Sequence, residues 1–157
     1  MSTATAATAA STDHTLRLER RFKAAPDKVF RAFTDPAILR TWWGPPGFTT
    51  PRADLDVRPG GAYAIDMQAP SGTIMRIRGT FREVVAPSRL VYTWAWQEGG
   101  YAGMATLVTL DFLADGAGTR LRLSHAMMTS ADMAGDHGKG WNACLDRLAA
   151  LAEGGLA

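Results

Sequence analysis

Few residues in this chain combine a reactive type with a telling position. Three histidines, His14, His125 and His137, and a single cysteine, Cys144, head the candidates. His125 ends the run Leu121-x-Leu123-x-His125, so strand alternation aims it inward with two leucines, unlike any other group that titrates near neutral pH. In that position it is a candidate general acid or base, yet no carboxylate is placed in the sequence to orient it. It equally suits a buried histidine bonded to backbone, or the polar handle of a pocket. His137 lies in Gly135-Asp136-His137-Gly138, a loop or first helical turn, where packing at a helix end is expected. The scattered spacing does not make a zinc site. Cys144, beside Leu145 in a helical pattern, reads as a small core residue and not a nucleophile. One cysteine excludes an internal disulfide framework and a thiolate metal cluster, and fits a reducing compartment.

The motifs that announce other chemistries are missing. The sequence contains no G-x-x-x-x-G-K-[ST], no G-x-G-x-x-G after a strand, no H-E-x-x-H, no G-x-S-x-G and no C-x-x-C. Gly138-Lys139-Gly140 lacks the upstream glycine spacing and the hydroxyl that phosphate and magnesium need. Nucleotide-dependent and metallohydrolase chemistry is therefore unsupported, and no cofactor and no metal are expected.

Elements that could position a site follow from periodicity. Leu16, Leu18 and Phe22 alternate with charged residues as a half-buried strand does. Pro26 to Phe33 reads as an amphipathic helix, broken at Asp35-Pro36, and 37–43 as a second short helix stopped by Gly44-Pro45-Pro46-Gly47. Six strands follow, at 50–57, 62–68, 73–85, 89–97, 104–113 and 119–127, with connections short enough for an antiparallel meander. Ser130 could cap a last helix beginning between Ala131 and Gly140 and running to about Leu151, with Trp141, Leu145, Leu148 and Ala152 as its apolar stripe. An α+β order of this kind packs its helices on one face of the sheet.

Strand phase sorts the side chains. Tyr63, Ile65 and Met67 share a face, as do Met75, Ile77, Gly79 and Phe81, and Leu90, Tyr92, Trp94 and Trp96. Met104, Thr106, Val108, Leu110 and Phe112 continue it, with Leu121, Leu123 and His125 on the last strand. Arg76, Arg78, Arg82, Arg120 and Arg122 fall on the opposite face, as a wet face with cross-strand acids such as Asp111. No aromatic residue is interleaved with them, so a nucleic-acid platform is not expected.

At 157 residues, 46% of them hydrophobic, the chain suits one domain with a real core. A net charge of +2 is too small to imply a nucleic-acid partner. Arginine outweighs lysine, which suggests a GC-rich bacterial genome. No run of 18 apolar residues occurs, so no membrane partner is expected, and MSTATAATAAST has neither the basic nor the apolar region of a secretory signal. A cytoplasmic location is the default expectation. Residues 1–13 have the composition of a disordered tail, which leaves 14–154 as the domain.

Several segments together resemble the START-like (SRPBCC) superfamily, and within it the family named for the C-terminal domain of the activator of the heat-shock protein 90 ATPase. They are the stretch from Phe22 to Pro36, Trp42-Trp43-Gly44-Pro45, Asp56-Val57-Arg58-Pro59-Gly60-Gly61, Gly79-Thr80-Phe81-Arg82-Glu83-Val84, Arg89-Leu90-Val91-Tyr92-Thr93-Trp94, Gly118-Thr119-Arg120-Leu121 and His137-Gly138-Lys139-Gly140-Trp141. The resemblance runs from about Leu16 to Leu151. It implies a helix-grip fold, a seven-stranded antiparallel sheet wrapped around the C-terminal helix, with a hydrophobic cavity between them.

The expected function is binding of a small hydrophobic or aromatic molecule in that cavity. Its expected walls are Trp43, Tyr63, Ile65, Met67, Met75, Ile77, Tyr92, Trp94, Trp96, Val108, Leu110, Leu123, His125, Trp141 and Leu145. Two alternatives stand beside it: an enzyme of cyclase or hydrolase type using His125 with Tyr63 or Tyr92, and a protein-partner or co-chaperone-like module. A weak homodimer is the other open partner.

Overall fold

Alternating side chains, two prolines and one serine cap account for most of the architecture. A computed structural model describes residues 14–156, so the tail expected at 1–13 lies outside the described residues. Strand β1 (His14–Phe22) leads into α1 (Pro26–Thr34) and α2 (Pro36–Trp42), each of which begins on a proline whose fixed φ suits the first helical turn. Asp35 lies between them and caps α2, its side chain accepting from the Ala37 N–H at 2.9 Å. Strands β2 (Thr49–Leu55), β3 (Ala62–Gln68), β4 (Ile74–Val85), β5 (Arg89–Trp96), β6 (Thr106–Asp115) and β7 (Gly118–Met128) follow, then helix α3 (Ala131–Glu153).

All seven strands form one antiparallel sheet in the order β1-β7-β6-β5-β4-β3-β2. Strands β2 to β7 are a meander, and β1 closes the other end by pairing with β7, with Leu18 opposite Leu123. The inward phase is as the alternation requires: Tyr63, Ile65, Met67, Ile77, Phe81, Leu90, Tyr92, Trp94, Val108, Leu110, Phe112, Leu121 and Leu123 are all buried. On the other face three of the five arginines have acidic partners, Arg76 with Glu98 at 3.0 Å, Arg78 with Asp66 at 2.8 Å and Arg122 with Glu19 at 3.0 Å. Asp111 pairs with Arg89 at 2.8 Å.

The strand expected from Met104 begins two residues later. Gly103, at φ +77°, donates to the Trp96 carbonyl at 3.0 Å and Met104 to that of Tyr101 at 3.2 Å, so this stretch is a turn. Met104 is consequently 38% exposed and leaves the inward face. At the chain's end, Leu156 is buried with the core, two residues past the expected boundary at 154.

Helix α3 starts at the early end of its expected range because Ser130 caps it, accepting from the Met133 N–H at 3.0 Å. Its glycines differ in what they do. A Cβ on Gly138 would lie 3.3 Å from Leu16 Cδ1, so this glycine lets α3 settle on β1, whereas Gly135 is exposed and faces open space. Gly135→Ala is therefore expected to stabilise the fold by about 0.5–1 kcal/mol through helix propensity. Urea denaturation checks it, and a lower midpoint would mean that the first turns of α3 are held by something other than their intrinsic preference.

Candidate functional site

A cavity of about 370 Å³ opens between the β4–β5 part of the sheet and the middle of α3. Strands β3, β4 and β5 supply Met67, Met75, Ile77, Trp94 and Trp96; α3 supplies Asp136, His137, Gly140, Trp141 and Cys144. Trp43, Pro45 and Phe48 come from the turn after α2, and Glu98, Gly99, Gly100 and Tyr101 from the β5–β6 loop. Four indoles make up much of the wall. Trp94 lies 5.4 Å from Trp141, 5.5 Å from Trp96 and 5.8 Å from Trp43 between ring centres. These four rings stand around open space, whereas Phe30, Phe33 and Phe112 pack edge to face elsewhere in a filled core. The Trp94 indole N–H is buried and has no acceptor among the described residues.

Of the residues expected to form the wall, Trp43, Met67, Met75, Ile77, Trp94, Trp96 and Trp141 do so. Tyr63, Ile65 and Tyr92 lie apart, around a much smaller crevice with Phe81 and Leu55. Val108, Leu110, Leu123, His125 and Leu145 are fully buried behind the wall, at most 2% exposed. The four strand residues point inward as their phase requires, but inward on this sheet means toward the helices, which cover them, and Leu145 lies on α3 itself.

His125 is the main correction. Trp141 Nε1 donates to His125 Nδ1 at 3.1 Å, so the ring proton sits on Nε2, which donates to Thr106 Oγ1 at 2.7 Å. The Thr106 hydroxyl passes the chain on to the Trp94 carbonyl at 3.0 Å. Both ring nitrogens are used and none of the ring is exposed, so His125 neither faces the cavity nor serves as its polar handle. Burial, with His137 beside it, pushes its pKa down to about 3, which keeps it neutral. The general-acid role drawn for it therefore has no geometry. The tyrosines paired with it in that scheme are no better placed: Tyr63 OH donates to the Thr93 carbonyl at 2.5 Å, and burial raises both phenols above their ordinary range.

His137, expected as helix-end packing, lines the cavity instead. Its Nδ1 donates to the Met133 carbonyl at 2.8 Å, which leaves Nε2 to accept from Trp96 Nε1 at 2.9 Å. Burial lowers its pKa as well. Two histidine rings 5.0 Å apart would invite a metal, but all four nitrogens are committed, and no group of three metal-ligating side chains occurs among the described residues. Cys144 also reaches the wall. Its sulfur accepts from the Gly44 N–H at 3.2 Å, and burial pushes the thiol up to about 11, so it stays protonated at neutral pH.

The mouth is polar. Tyr101 OH donates to Asp136 Oδ2 at 2.5 Å, joining the β5–β6 loop to α3 and raising the phenol's pKa. Glu98 receives the backbone N–H of Arg76 at 2.8 Å and its guanidinium at 3.0 Å, and those bonds lower its pKa. No local pattern marks this rim, because Tyr101 and Asp136 stand 35 residues apart. Among the described residues no helix is long and apolar enough to cross a membrane.

A sheet gripping one long helix, with an aromatic cavity between them, defines a START-like helix-grip domain. The family model described as Activator of Hsp90 ATPase homolog 1-like protein matches residues 23–153, and the chain belongs to that family. It is similar in structure to protein CV1439 from Chromobacterium violaceum, with 32% identity and a TM-score of 0.81 over 88% of this chain and 96% of that one. The AHSA1 protein SPO3351 from Silicibacter pomeroyi is 31% identical, with a TM-score of 0.78 over 87% and 96%. CalU16 from Micromonospora echinospora is 30% identical, with a TM-score of 0.65 over 87% of this chain and 74% of its own. Among curated proteins, none matches the chain.

Proposed function

We propose that this domain binds a small hydrophobic or aromatic molecule in the cavity between sheet and helix. The observation that carries the reading is the 370 Å³ space walled by four tryptophans, two methionines and Ile77. Its size falls at the lower end of the roughly 300–1,000 Å³ range of ligand pockets. Methionine and tryptophan walls suit a flat, soft occupant. The polar groups at the cavity are engaged with one another, which favours binding over turnover.

Gly140 supplies the test. It lines the cavity, a Cβ there meets nothing within 4 Å, and a larger side chain would enter the space while improving the helix. The neutral dye N-phenylnaphthylamine is expected to bind the native protein at micromolar concentrations with a rise in emission. Gly140→Phe should stay folded by circular dichroism and lose that signal, and Met75→Trp should do the same from the sheet side. Unchanged binding in both folded variants would place the dye elsewhere, and no binding to the wild type would overturn the reading.

A further inference from the structure

Resting on that reading, we infer that the cavity selects organic cations, molecules with a flat apolar body and an ammonium-type head held at the Tyr101–Asp136 rim. The wall contains two carboxylates, Glu98 and Asp136, and neither lysine nor arginine. They are not equivalent. Glu98 is offset by Arg76, which it meets at 3.0 Å. Asp136 is bonded to a neutral phenol, and among the described residues no lysine or arginine forms an ion pair with it. The mouth thus carries one carboxylate that no cation balances. Arg147, the basic residue that reaches the Trp43 end, is committed to the carbonyls of Trp43 at 3.0 Å, Gly44 at 2.8 Å, Pro45 at 3.4 Å and Thr41 at 3.3 Å.

The interior offers an anionic head no cationic partner, and the unpaired Trp94 indole N–H is buried within the wall and not presented to the space. His137 is neutral with both nitrogens used, and the Cys144 thiol stays protonated. A carboxylate or sulfonate drawn inside would lose water without gaining a charged partner. A cation retains part of its hydration at the rim, gains Asp136, and lies next to electron-rich rings of Tyr101 and Trp96. Each contribution is modest at a half-open mouth, and together they amount to about a tenfold preference over a neutral body of equal size.

Three matched probes read the preference: naphthylmethylammonium, methylnaphthalene and naphthoate, each displacing N-phenylnaphthylamine. The expected order is cation tightest by about tenfold over the hydrocarbon, with the anion weakest. In Asp136→Asn, which can still accept from Tyr101, the ratio of cation to hydrocarbon affinity should fall toward one. Any pattern in which the cation is not the tightest, or in which that ratio survives Asp136→Asn, overturns the charge selection. Displacement by the hydrocarbon alone would leave the cavity reading standing, whereas a dye that fails to bind the wild type removes both.

Discussion

Trp141→Ala is expected to cost roughly 3–5 kcal/mol, the range for deleting a large buried aromatic side chain. The indole is 3% exposed, begins the stripe continued by Leu145 and Leu148, and packs against Trp43 and Trp94. Its N–H also holds His125 Nδ1, so truncation leaves a fully buried acceptor without a donor and adds about 1 kcal/mol or more. Trp141→Phe separates the two contributions, keeping most of the apolar contact while removing the hydrogen bond. Guanidinium denaturation of both variants checks the pair. If the alanine variant unfolds at the wild-type midpoint, α3 is not anchored by this residue.

The second large effect is loss of stability in mild acid. Folded His125 stays neutral down to about pH 3, while in the unfolded chain it protonates near its ordinary 6.5. Stability from this group is therefore complete above pH 6.5 and declines as pH falls toward 3, because the unfolded state takes up a proton that the folded state refuses. The slope for one histidine is about 1.4 kcal/mol per pH unit, so the interval from 6.5 to 5 should remove on the order of 2 kcal/mol. His137, also depressed, adds in the same direction. His125→Phe should flatten the slope by about one proton, whatever its cost in absolute stability. Urea midpoints measured across this interval decide the matter, and a flat wild-type profile would show that the ring titrates freely.

What could be read from the sequence divides along the range of the interaction. Tyr63-x-Ile65-x-Met67 declares its inward face within five residues, because a pleated strand allows no other assignment. Pro26, Pro36 and Ser130 mark helix starts in the same local way. The site is a different matter. His125 was correctly turned inward, yet its chemistry depends on Thr106 and Trp141, which lie 19 and 16 residues away on another strand and on the helix. No spacing rule connects them. Likewise the rim depends on how the Gly99–Gly100 turn delivers Tyr101 to α3, and glycine-rich loops carry little periodic signal. Depth was the remaining gap. Alternation separates in from out, but only the approach of α3 to β1 through Gly138 decides which inward residues meet space and which meet helix.

The pairing of β1 with β7 also sets the order in which the molecule can be assembled during translation. Leu18 waits for Leu123, and the Ala24 carbonyl for the Thr119 hydroxyl at 2.7 Å, both about a hundred residues downstream. At roughly 5–20 residues per second, that delay is about 5–20 s, long compared with the microseconds in which a hairpin forms. The meander can zip up strand by strand as it emerges, while the first strand remains an unpaired edge on the growing chain. A ribosome-bound nascent chain ending before Gly118 is thus the form in which this protein is most exposed to chaperones and to misassociation.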